Sequence, residues 1–161
     1  MARDIVIGID PGSKGYMAIY YQHLNEYTFI QLDETKEVRL KLSSFFGMNC
    51  VVCIEHVKAL HGAGSTSTFQ FGKSVGFITG LVSAFELPLC EVTPKRWQTE
   101  MWEAQDKVTI NSKLHTKQTS LRCAKRLHPN IDFRRNEKCS KPDDNKADAV
   151  LICDFAIRKN L

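Results

Sequence analysis

"IVIGIDPGSKGYMAIY", residues 5–20, decides the fold. A run of apolar or small residues drives up to a carboxylate, Asp10, and Pro11, Gly12 and Gly15 follow it closely. Such a run bounded by turn residues reads as a buried strand. "YMAIYYQ" beyond the turn reads as a second strand, and "EYTFIQLD" alternates well enough for a third, so the three suggest an antiparallel meander. A buried strand has no use for a charge at its tip, so something outside the strand must need Asp10.

Outward from there, "EVRLKLSSFF" has helical spacing at Val38, Leu42 and Phe45/Phe46. "CVVCIE" is a further short buried strand, again ending on a carboxylate, Glu55. A Gly/Ser/Thr-rich connection, "HVKALHGAGSTSTFQFGKSVG", runs into a helix that continues through "FITGLVSAFEL". "PLCEVTP" reads as a fifth strand, and Pro94 suits the first position of a helix in "PKRWQTEMW". "HTKQTSLRCAKRLHP" reads as a helix ending before Pro129, and "NIDFRRNEKCSKP" as a basic loop. "DDNKADAVLICDFAIRK" is the last helix, with acids in its first turn and cations at its end, as the helix dipole favours. The order β-β-β-α-β-α-β-α-α-α predicts an α/β fold with a five-stranded mixed sheet flanked by helices.

The 161 residues suit one compact domain, residues 1–161, and 43% hydrophobic with 25% charged residues is ordinary globular composition. No apolar run is long enough to span a bilayer and no signal-peptide core is visible, which suggests a soluble protein of a bacterial cytoplasm or an organelle, with no membrane partner. Of the six cysteines, Cys50 and Cys53 form a CxxC inside a strand, where residues three apart point to opposite faces and cannot share a metal. The cysteines are therefore expected to be reduced and mostly buried. From Cys90 onward 15 Lys/Arg face 10 Asp/Glu (+5), whereas 7 face 8 before it (−1). The basic half suggests a polyanionic partner.

If the strands ending on Asp10 and Glu55 are parallel neighbours, both carboxylates emerge on one edge of the sheet, where open α/β sheets bind ligands. Asp144 and Asp148, four apart on the last helix, share the face that continues through Leu151/Ile152 and Phe155. Carboxylates converging with few bases among them repel unless a cation neutralises them. Hard oxygen ligands without paired His or Cys point to Mg²⁺ or Mn²⁺, and a pair of such ions is the arrangement that hydrolyses phosphodiesters. Asp10 as a turn former and Asp144 as a helix cap are the plain structural alternatives.

A phosphate track needs cations and donors. Lys58, His61, Ser65 and Ser67 lie on the Gly/Ser/Thr-rich connection and the helix start it leads to, a good anion site. Lys73 follows on the helix; Phe69 and Phe71 are candidates to wedge or stack against nucleic-acid bases, with core or dimer packing as the alternative. Gly72, Gly76 and Gly80 recur every four residues, which allows close approach of a second helix across a two-fold axis or tight packing within the chain. Lys95 and Arg96 follow the fifth strand. Lys117, Lys125, Arg126, Arg134, Arg135, Lys138 and Lys141 make up the basic second half, with Lys141 placed to reach a scissile phosphate. Trp97 and Trp102 are expected to fill core.

"IGIDPGSKGYMAI", "CIEHVKALHGAGSTSTFQFGKSVGFITGL", "VTPKRWQ" and "DDNKADAVLICDFA" together resemble the RuvC-type Holliday junction resolvases of the ribonuclease H-like superfamily, in particular their phage and organellar branches. The resemblance covers nearly the whole chain. It implies Asp10, Glu55 and Asp148 as catalytic metal ligands. Some members carry an acid or His three residues before the last Asp, where this chain has Asn145; others carry an acid four before, which is Asp144, with Asp143 as the spare candidate. It further implies a homodimer, Mg²⁺ (with Mn²⁺ as a substitute, two ions per site), symmetrical nicking of four-way DNA junctions and 5′-phosphate ends. Another ribonuclease H-like nuclease acting on branched DNA or RNA, or an inactive junction-binding module, are the alternatives. Sugar kinases and actin-like ATPases open similarly, but they need a second phosphate-binding repeat for which this chain has no room.

Overall fold

In the computed structural model, residues 3–12, 14–56 and 64–161 are described. Strands β1 (Ile5–Asp10), β2 (Tyr16–Tyr21) and β3 (Glu26–Gln31) form the meander expected from the sequence. Helix α1 (Thr35–Ser43) leads to β4 (Cys50–Glu55), α2 (Ser65–Ala84) to β5 (Leu89–Val92), and α3 (Pro94–Met101), α4 (Thr116–Leu127) and α5 (Asp144–Arg158) follow. The five strands lie in the order β3-β2-β1-β4-β5. β4 is parallel to both β1 and β5, and β2 is antiparallel to its neighbours, so the sheet is mixed. This is the α/β architecture that the element order predicts.

Alternation along β1 sends its side chains to two separate cores. Ile5, Ile7 and Ile9 join Met17, Ile19, Val38, Leu42, Val52, Ile54, Ile78 and Val82 beneath α1 and α2. Val6 points to the other face, with Val51, Cys53, Trp97, Val150, Ile152 and Phe155, under α3, α4 and α5. Cys50 and Cys53 fall in different cores, as their spacing requires, and the six cysteines are all free. Gly8 sits on the α5 face. A Cβ there would lie 2.3 Å from the Ala149 carbonyl oxygen and 2.4 Å from the Cys153 nitrogen, so only glycine lets α5 press against the middle of β1.

Several elements differ from expectation in detail. α1 stops at Ser43, and the adjacent Phe45 and Phe46 part company: Phe45 is buried, Phe46 is 62% exposed. α2 ends at Ala84 rather than running to Leu87, and Glu86 just beyond it takes a left-handed conformation (φ 54°). Between α3 and α4 the chain forms a 3₁₀ turn (Ala104–Asp106) and a short hairpin, β6 (Thr109–Ile110) and β7 (Lys113–Leu114), neither of which the sequence pattern marks. Gly72, Gly76 and Gly80 do not serve packing against the described residues, because a Cβ at any of them would meet none of those within 4 Å. Among the described residues no helix is long and apolar enough to cross a membrane.

Candidate active site

β1 and β4 run side by side in parallel with Ile9 opposite Ile54, so the residues that end them, Asp10 and Glu55, stand next to each other at one sheet edge. Both share the parity of the residues facing α5. α5 brings Asp148 down onto that edge because of the close approach at Gly8, and Asp144 follows one turn above it.

The electrostatics show that the acids share one field. Asp10 is held well above the usual carboxylate range, first by burial and then by the charges of Asp148, Glu55, Asp144 and Asp143. Asp148 is pushed up to about 7, again first by burial; Glu55 and Asp144 add to the shift, while the Ser120 hydroxyl and Lys117 oppose it. Burial raises Glu55 too, offset in part by the indole N–H of Trp97, which donates to its Oε2 at 2.6 Å. Asp144 is paired with Lys117, Nζ to Oδ2 at 2.9 Å.

The neighbouring acid Asp143 has a different job. Its side chain is the N-cap of α5, where Oδ1 accepts from the Asn145 backbone N–H at 3.1 Å, and Oδ2 faces the Arg135 guanidinium at 3.1 Å. Both oxygens are thus engaged in holding the helix start, while Asp144 turns to the cluster.

Oδ1 of Asp148 is buried and, among the described residues, has no hydrogen-bond partner. A buried carboxylate oxygen left unpaired is costly, and a divalent cation held there would remove both this cost and the mutual repulsion. The donor set is entirely carboxylate oxygen, which suits Mg²⁺ or Mn²⁺. Among the described residues no three Asp, Glu, His or Cys side chains are already drawn together around one point. Trp97 holds Glu55 and Lys117 holds Asp144.

The nucleic-acid candidates divide. Lys117 belongs to the site through Asp144. Lys141 is exposed on the surface beside Asp143 and Asp144. Ser65, Ser67, Phe69 and Lys73 all lie on the exposed first turns of α2, with Phe69 68% exposed and Phe71 half-buried. The Ser74 hydroxyl reaches the Gly12 carbonyl at 3.4 Å, so α2 passes the turn after Asp10 and the nine residues before Ser74 span about 13 Å of helix. Lys95 is exposed at the start of α3. Arg96 is drawn elsewhere: its guanidinium lies 5.7 Å from the Phe155 ring centre, about 10 Å along α5 from Asp148. Lys125 occupies the exposed last turn of α4, some 12 Å along the helix from Lys117. Arg126 is structural, clasping buried Asp106 at 2.8 Å with both Nε and a terminal nitrogen. Lys58 and His61 lie outside the described residues.

Two contributors were not singled out as site residues by the sequence, Trp97 on Glu55 and Ser120 on Asp148, and Lys117, a nucleic-acid candidate, was not expected to pair with Asp144. The one usable signal was the three-residue spacing of Lys117 and Ser120, which puts both on one face of α4.

No protein-family model and no curated protein matches the chain. Solved structures do. RuvC of T. thermophilus in complex with a Holliday junction substrate superposes with a TM-score of 0.56 at 11% identity, covering 96% of this chain and 95% of that one. A second structure, of Thermus thermophilus RuvC, gives 0.56 at 12% identity over 96% of each chain. The fold is ribonuclease H-like, of the RuvC kind. On this RuvC-like frame the fold likeness extends over nearly the full chain, and the carboxylate edge comes from this chain's own geometry.

Proposed function

We propose that the protein is a structure-selective DNA endonuclease that resolves four-way junctions by symmetrical, Mg²⁺- or Mn²⁺-dependent phosphodiester hydrolysis, leaving 5′-phosphates, like the phage and organellar resolvases its motifs resemble. One observation carries the reading: Asp10, Glu55, Asp144 and Asp148 are brought by β1, β4 and α5 into one electrostatic field at the sheet edge, with an unpaired buried oxygen among them. These four residues would hold the metal, two ions per site. When bound, such ions activate water and stabilise the leaving oxygen.

The chain's own groups prepare the site. Trp97 orients the Glu55 carboxylate and favours its ionised form. Ser120 and Lys117 ease ionisation of Asp148. Lys117 is 66% exposed and is available to leave Asp144 for a phosphate oxygen as the carboxylates close. The exposed turns of α2 supply hydroxyls, Lys73 and Phe69 on the side of the Gly12 turn, where a duplex arm would approach. Two identical cuts need a two-fold pair of sites. The solvent-facing Gly72, Gly76 and Gly80 strip suits pairing of α2 with its copy in a homodimer.

The test is a synthetic four-way junction incubated with Mg²⁺, Mn²⁺ or EDTA, beside flap, fork and RNA–DNA hybrid substrates. Paired nicks at symmetrical positions with either metal, and none in EDTA, are expected. Preferred cleavage of the hybrid would replace this reading with that of another ribonuclease H-like nuclease. Tight junction binding without cleavage under any metal would make the protein a binding module.

A further inference from the structure

The 130–142 loop, the start of α5 and Lys14 line a broad, open cleft of about 560 Å³ beside the carboxylate edge. Five cations line it: Lys14 from the β1–β2 turn, Lys117 from α4, and Arg135, Lys138 and Lys141 from the loop, against the acids Asp143 and Asp144. Two of the five are neutralised in place, Arg135 by Asp143 at 3.1 Å and Lys117 by Asp144 at 2.9 Å. Five less two leaves a net charge of +3 on Lys14, Lys138 and Lys141, which are exposed and make no ion pair among the described residues.

The loop that carries two of these lysines is built to hold its shape. Phe133 is buried in the α5-side core, and Arg134 bridges to Pro142. The Asp143 N–H donates to the Phe133 carbonyl at 2.7 Å. From α5, Lys146 donates to the carbonyls of Asp132 at 2.7 Å and Arg134 at 3.2 Å, clamping the loop from beneath. The base of the loop is therefore fixed against α5, and the start of α5 adds its positive dipole end to the cleft.

Asp144 belongs to both the cleft and the carboxylate cluster, so the two are continuous. An anion that fills the cleft while touching the cluster must extend in one direction, and lysines from two separate segments match successive charges better than a single one. We propose that this cleft is a second phosphate subsite, in which Lys14, Lys138 and Lys141 hold the backbone of the DNA strand outside the scissile phosphodiester. The proposal rests on the nuclease reading above, but it concerns residues that reading does not need.

The experiment measures junction binding by fluorescence anisotropy in EDTA across a salt series. It compares wild type with Lys14→Ala/Lys138→Ala/Lys141→Ala and with the same three positions changed to Arg; melting curves check that each variant is folded. Each phosphate that the protein no longer neutralises makes the plot of log affinity against log salt shallower by about 0.9, so the alanine variant should lose up to about 2.7 of slope and at least roughly tenfold in affinity at moderate salt. The arginine variant should keep both. Inorganic phosphate should fail to displace the junction at concentrations where unlabelled DNA competes. An alanine variant with wild-type affinity and slope, an arginine variant as weak as alanine, or equal displacement by inorganic phosphate would each overturn the subsite while leaving the nuclease reading standing. A wild type that does not bind junctions would remove both.

Discussion

Trp97→Phe isolates the hydrogen bond that prepares Glu55. The indole is fully buried and its N–H donates to Oε2 at 2.6 Å, a short bond to a charged acceptor. Bonds of this kind contribute about 1.5–3 kcal/mol, which corresponds to roughly 10- to 150-fold in a rate or binding constant. Burial already holds Glu55 above its ordinary range, and Trp97 is the group that opposes this. Without the donor the carboxylate ionises less readily and loses its orientation. We expect cleavage of a four-way junction at sub-saturating Mg²⁺ to fall by roughly 10- to 100-fold, the size of effect seen when partners of metal ligands are removed, and to recover partly at high Mg²⁺. Trp102→Phe is the matched control. Trp102 packs edge-on to Trp97 at 5.9 Å, and among the described residues its buried N–H has no partner. Its replacement removes a similar volume and no useful bond, so cleavage should stay near wild type. Wild-type cleavage by Trp97→Phe, or equal losses in both variants, would refute the role of the hydrogen bond and leave only packing.

Gly8→Ala forces a methyl to within 2.3 Å of the Ala149 carbonyl, so α5 must lift. The expected cost is about 3 kcal/mol in chemical denaturation, with cleavage lost in whatever protein remains folded. Arg126→Ala strands Asp106, whose side chain is 1% exposed; a loss of about 3 kcal/mol should appear in the same measurement. The pH response of the carboxylate edge has a definite sign. Asp148 titrates near 7 in the folded chain and near 4 in the unfolded one, so the native state holds more protons between these values and stability falls as pH rises through that window. Melting temperature in EDTA should therefore drop from pH 5 to pH 7.5, with Mg²⁺ restoring it at the higher pH. Asp148→Asn should flatten this slope; an unchanged slope would show that Asp148 is not its source.

The parts of this molecule that were legible in sequence are those where pattern and chemistry coincide. Ile5, Ile7 and Ile9 alternate with Val6 and Gly8, which marks β1, and the acid that ends it has no structural reason to be there. The spacing of Asp144 and Asp148 carried the same message on α5. What stayed hidden depends on choices between like neighbours. Phe45 and Phe46 are chemically equivalent, and only the helix end at Ser43 decides which is buried. Asp143 and Asp144 are adjacent acids, and one becomes the cap while the other joins the cluster only because α5 begins between them. Trp97 and Trp102 are both indoles in one core, and nothing local says which finds a carboxylate. The β6–β7 hairpin has strands of two residues, too short for periodicity; its signal is the turn itself, where Asn111 and Ser112 both take positive φ (49° and 61°).

The role proposed for Asp10, Glu55, Asp144 and Asp148 is to bind divalent cations, and Mn²⁺ titration followed by electron paramagnetic resonance measures this directly. Wild type should take up one to two ions per chain near neutral pH, and Asp148→Asn and Asp10→Asn should each lose most of that uptake while remaining folded. No uptake by wild type, or equal uptake by all three proteins, would contradict the assignment of this edge as a metal centre.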